Sequence, residues 1–110
     1  MESNDAVAAL AALAQRSRLA LFRLLVERGP EGEYPGALAE TLALAPATLS
    51  FHLKSLAHAG LVEAEPAGRN IRYRANFAAM QDLLAYLTRN CCGGDAARCA
   101  PATRRSRTRR

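Results

Sequence analysis

The sequence has no Trp and only 5% aromatic residues. Leu and Ala must therefore supply most of any core. Histidine occurs twice, at His52 and His58, and neither has a Cys, an Asp or a second His at ligand spacing. That speaks against a histidine-based metal site. No cysteine precedes Cys91, and the count of three is odd. A secreted disulfide scaffold would spread an even number through the chain. The start, Met1-Glu2-Ser3-Asn4-Asp5, is acidic where a secretory leader is basic. The apolar run Ala6 to Ala14 is too short to span a bilayer. No Cys-x-x-Cys, phosphate-binding loop or acid–base pair is present, so no enzyme is expected. The expected compartment is a reducing cytoplasm, with no membrane contact.

What is present is apolar and basic. Half the residues are apolar, enough for one small core, and the net charge is +5. Arg104, Arg105, Arg107, Arg109 and Arg110 supply five of the fifteen basic residues; the rest of the chain has ten basic and ten acidic. Net charge alone is thus weak support for a polyanionic partner, and position has to carry that case.

Five helices and one hairpin follow from period and punctuation. Asn4 or Asp5 can cap a first helix, Ala6 to about Ala14, with Val7, Leu10 and Leu13 at helical spacing. A second runs from Arg16 to Arg28, with Leu19, Leu21, Phe22, Leu25 and Val26 on a broad apolar face, and ends at Gly29-Pro30. Glu31 to Tyr34 reads as a loop. Pro35 opens a short third helix to about Leu42, which buries Leu38 and Leu42. After Ala43-Leu44-Ala45, Pro46 opens a fourth helix to Ala59, with Leu49, Leu53 and Leu56 inward and Gly60 as cap. Leu61–Glu65 and Ile71–Ala75 are β-prone and flank a basic tip, Pro66 to Asn70. Asn76 can cap a last helix, Phe77 to about Asn90, with Phe77, Met80, Leu84 and Leu87 in one stripe, widened by Leu83 and Tyr86. Residues 1–92 form the expected domain, and residues 93–110 a flexible, Arg-rich tail.

Two short helices joined by about three residues, then a hairpin, form a winged helix-turn-helix. The fold class is mainly α with a small β-hairpin, in the order ααααββα. The fourth helix would be the recognition helix. It leaves Thr48, Ser50, Phe51, His52 and Lys54 near or on its outer side, where they suit base edges and phosphates. The wing offers Arg69, Arg72 and Arg74 to phosphates or a minor groove. The expected partner is double-stranded operator DNA. A winged helix that binds only proteins is the rival.

Cys91, Cys92 and Cys99 lie within nine residues, and Gly93-Gly94 allows the chain to fold back between them. Soft thiolates select soft ions. Three sulfurs without His suit trivalent arsenic or antimony, which favour a three-sulfur pyramid, better than zinc, which wants four ligands. The expected inducer is As(III) or Sb(III), with no organic cofactor. The alternatives are another soft metal, thiol oxidation, and cysteines that do nothing.

The chain resembles the ArsR/SmtB family of metal-sensing repressors. The resemblance is carried by Leu13-Ala14-Gln15-Arg16-Ser17-Arg18-Leu19, by Ala47 to Leu56 (Ala-Thr-Leu-Ser-Phe-His-Leu-Lys-Ser-Leu), by Ala59-Gly60-Leu61-Val62, and by Gly68-Arg69-Asn70-Ile71-Arg72-Tyr73. It spans about residues 5 to 90. It implies a homodimer joined through the first and last helices. Many arsenic sensors of this family carry Cys-Val-Cys at the third helix, where this chain has Tyr34-Pro35-Gly36. Others place Asn-Cys-Cys and a later Cys after the last helix, and this chain looks like those. Of the zinc-sensor pattern on the last helix only Asp82 is present.

Overall fold

The computed structural model describes residues 1–95, 97 and 98. Its elements are α1 (Ser3–Leu13), α2 (Arg16–Arg28), α3 (Pro35–Leu42), α4 (Pro46–His58), β1 (Val62–Ala67), β2 (Asn70–Ala75) and α5 (Phe77–Leu87). Among the described residues no helix is long and apolar enough to cross a membrane.

The centre of the molecule is leucine, as the lack of aromatics requires. Leu21, Leu25, Leu38, Leu49, Leu53, Leu56 and Leu61 are each less than 2% exposed. Each such burial stabilises the fold by about 1.5–3 kcal/mol. α2 runs through the middle, and its neighbours include α1, α3, α4 and β2. Its Gln15 cap accepts a hydrogen bond from the Arg18 amide at 2.8 Å. Leu19 leaves the apolar face expected for it and is exposed, because the buried arc is Leu21, Phe22, Leu24 and Leu25.

α1 starts three residues earlier than expected. Asp5 accepts from the Glu2 amide at 3.2 Å and so caps from within the first turn. Its inner face is also the opposite one. Ala6, Ala9 and Ala12 are buried, while Val7 and Leu10 are 61% and 43% exposed. A helix made of Ala, Val and Leu has two apolar faces, and the small one fits where α1 packs closely on α2, α4 and α5. α5 likewise turns Leu83 inward and leaves Leu84 and Leu87 outside. It is shorter than expected. The Thr88 hydroxyl donates to the Leu84 carbonyl, and Asn90 turns left-handed.

The hairpin is antiparallel, with Val62 opposite Ala75 and Ala67 opposite Asn70. Its strands extend through Pro66 and Asn70, so the turn itself is only Gly68-Arg69. Gly68 has φ +66°, which suits the first position of a two-residue hairpin turn. The Glu31–Tyr34 segment is not a plain loop. Glu33 and Tyr73 exchange backbone hydrogen bonds of 2.8 and 2.9 Å, so β2 is flanked on both sides. Asn76 joins the hairpin to α5 and α4: its carbonyl oxygen accepts from the Ala79 amide, and its amide donates to the Gly60 carbonyl at 3.0 Å.

Gly32 makes that extra bridge possible. It has φ +71°, and a Cβ there would collide with the Tyr73 carbonyl. Gly32→Ala should destabilise the protein by at least about 2 kcal/mol, read by chemical denaturation. Gly29→Ala, with φ +79° but open space, should cost less.

Candidate nucleic-acid interface and cysteine turn

α3 and α4 are joined by a turn that needs an unusual backbone. Ala43 sits in the left-handed region at φ 55°, and the Leu44 amide reaches back to the Ala39 carbonyl at 3.0 Å. Pro46 then starts α4 in a conformation its ring already holds. Leu49, Leu53 and Leu56 anchor the helix in the core. The same 3.6-residue period leaves Thr48, Ser50, Phe51 and Lys54 exposed, and Phe51 is 62% exposed.

His52 does not join them. The expectation that it faces outward fails, because it lies three residues after Leu49 and four before Leu56 and is only 6% exposed. Its Nδ1 has no hydrogen-bond partner among the described residues. Burial, and then the nearby Arg18 charge, hold its pKa below the ordinary histidine value. Arg18 itself was not singled out from sequence. Its Nε donates to the Ala12 carbonyl at 2.6 Å, which ties the end of α1 to the start of α2. Arg18, Lys54 and His58 also line an open groove beside α4, together with Ala8, Ala11 and Phe51.

The three wing arginines are not equivalent. Arg69 is exposed at the turn and pairs with no carboxylate among the described residues. Arg72 and Arg74 are bound to Glu63 and Glu65 across the hairpin. The signal for this was in the sequence, as Glu-x-Glu in one strand and Arg-x-Arg in the other, on one face by the strand period.

Cys91 and Cys92 lie past α5 in a 3₁₀ turn over Cys91–Gly94. Asn90 and Cys92 adopt left-handed backbone there, at φ 58° and 55°, and so does Gly93. The two sulfurs are 3.8 Å apart. Arg98 Nη1 donates to the Cys92 carbonyl at 3.3 Å, which brings the following chain back over the turn. Cys92 is disulfide-bonded. Cys99 lies outside the described residues, as do Arg104 to Arg110. Among the described residues no group of three His, Cys, Asp or Glu side chains is arranged to hold a metal ion.

A family model described as a helix-turn-helix domain matches residues 13–65. Among solved structures, the transcriptional repressor BigR from Xylella fastidiosa is 30% identical. That match covers 81% of this chain and 89% of BigR, with a TM-score of 0.61. An ArsR-like transcriptional regulator from Rhodococcus sp. RHA1 is 28% identical, covering 93% of this chain and 92% of its own, with a TM-score of 0.71. The chain belongs to the ArsR family of winged helix-turn-helix transcriptional regulators. The homodimeric winged helix-turn-helix domain Mb0332 from Mycobacterium bovis shares the fold at 24% identity, covering 77% of each chain, with a TM-score of 0.65. No curated protein matches the chain.

In this ArsR-family chain the buried His52 sets an acid limit. A histidine whose folded pKa is depressed binds fewer protons folded than unfolded. Its share of stability is therefore complete above about pH 6.5 and is lost as pH falls through the folded value. The melting temperature of the wild type should drop between neutral pH and about pH 5 by more than that of His52→Leu, measured by circular dichroism.

Proposed function

We propose that the chain is a cytoplasmic repressor that grips operator DNA as a homodimer and releases it when As(III) or Sb(III) binds Cys91, Cys92 and Cys99. The observation that carries the DNA reading is the outer face of α4. Thr48, Ser50, Phe51 and Lys54 stand exposed on the second helix of a helix-turn-helix, anchored from behind by three buried leucines. Ser50 and Thr48 would bond base edges or phosphates, Lys54 would pair with a phosphate, and Phe51 would contact a thymine methyl. Arg69 would meet the backbone beside the groove. His52, buried, is left out of this set.

The homodimer reading rests on apolar surface. Val7, Leu10, Leu84 and Leu87 are 61, 43, 51 and 55% exposed on two helices that pack on each other. The relative Mb0332 is homodimeric. A two-fold pair of recognition helices would read half-sites about 34–36 Å apart. The cysteine turn lies directly beyond α5, so closing three sulfurs on one ion would pull residues 93–110 onto the joining helix and shift that spacing. Affinities for ion and DNA are then reciprocally coupled. Catalysis has no role in this scheme.

Thiol oxidation is the second reading, favoured by the disulfide-bonded Cys92. The two separate on the reduced protein. With a duplex selected from a random pool, arsenite should release reduced wild type, while Cys91→Ser, Cys92→Ser and Cys99→Ser stay bound. Release by peroxide but not by arsenite would establish the oxidation reading instead. Leu84→Asp should sediment as a monomer and bind the duplex at least about tenfold more weakly. A dimeric Leu84→Asp would exclude α5 from the interface.

A further inference from the structure

Two wing guanidiniums converge on one oxygen. Arg72 Nη2 and Arg74 Nη1 each donate to Glu65 Oε1 at 2.7 Å, and Arg74 Nε donates to Glu63 Oε1 at 3.2 Å. The register sets Glu65 opposite Arg72 and Glu63 opposite Arg74, so all four side chains share one face of the hairpin. Their charges cancel. Short, charge-assisted donation from two guanidiniums to one anionic oxygen is also how arginines hold a phosphate. Hydrogen bonds from Arg72 and then Arg74 keep the Glu65 carboxyl below the usual carboxylate range, so it stays ionised at neutral pH.

We infer that Glu65 is an internal substitute for a DNA phosphate: in the unbound protein its carboxylate fills the anion seat formed by Arg72 and Arg74, and a backbone phosphodiester has to displace it. The inference rests on the DNA-binding reading above. It makes the wing self-limiting. Arg69, exposed at the turn, is its one immediately usable cation among the described residues, while Arg72 and Arg74 answer to the carboxylates first. The seat is also incompletely satisfied, since Arg72 Nε is buried without a hydrogen-bond partner among the described residues.

The test is anisotropy of a fluorescein-labelled random-sequence duplex titrated with the full reduced chain over a series of KCl concentrations. Each phosphate neutralised steepens the log–log salt slope by about 0.9. Glu65→Gln should bind about three- to tenfold tighter at low salt, with a slope steeper by about 0.9 to 1.8. Glu63→Gln, which releases only one weaker contact, should gain less. Glu27→Gln, the same charge change on α2 where Glu27 faces Arg23, should gain nothing. Glu65 keeps the seat against the phosphates of a random-sequence duplex, so in the wild-type background Arg69→Ala should flatten the slope by about 0.9 and Arg72→Ala should leave it unchanged. These two variants decide the matter even if the Glu65 variant folds poorly. Equal flattening by Arg72→Ala, no gain from Glu65→Gln, or an equal gain from Glu27→Gln would overturn the inference. If the wild type shows no salt-dependent duplex binding at all, the DNA reading falls first and the inference with it.

Discussion

Everything that faces outward on α4 depends on what the helix buries. Leu49, Leu53 and Leu56 are gripped by α2, α3 and the start of the hairpin, so the helix has no freedom to roll. A rotation by one residue, about 100°, would put Ser50 and Lys54 in the core and a leucine in water. The positions of Thr48, Ser50, Phe51 and Lys54 are therefore a by-product of leucine burial. His52 belongs to the same constraint, and that is why an imidazole with polar character ends up inside, partnered by little more than the field of Arg18.

The wing follows a different logic. It has little core of its own, with only Val62 and Ala75 fully buried at its base. Its order comes from backbone pairing on both sides of β2 and from opposed charges on one face. Exposed ion pairs of this type add little stability. They do change what the hairpin offers a polyanion. A wing that reads as three free arginines presents one without a carboxylate partner among the described residues, with two more behind a carboxylate barrier.

The far side of the molecule is shaped by alanine. Because Ala6, Ala9 and Ala12 have almost no side chain, α1 lies close against its neighbours and its larger residues, Val7 and Leu10, are pushed to the surface. Leu84 and Leu87 of α5 are left in the same condition. This exposed leucine and valine on two packed helices is the surface that the proposed homodimer would cover. The cysteine turn, built on left-handed Asn90 and Cys92, follows shortly after α5.

Much of this was readable in the chain before it folded. Proline at the first turn of two helices, glycine after a third, and the change from helical to alternating period locate the helix-turn-helix and hairpin to within a few residues. They do so because these signals are local: they act on φ and ψ, or on one residue's capping bond. The cysteine cluster was equally plain. Which of two apolar faces α1 and α5 bury, whether His52 points in or out, and whether a wing arginine is free are set by neighbours distant in sequence. Composition and period thus determined the elements, and the stretches Leu13–Leu19, Ala47–Leu56, Ala59–Val62 and Gly68–Tyr73 carried the resemblance to the family. Only tertiary packing, by filling volume and cancelling charge between separate segments, decided which side chains were left to meet a partner.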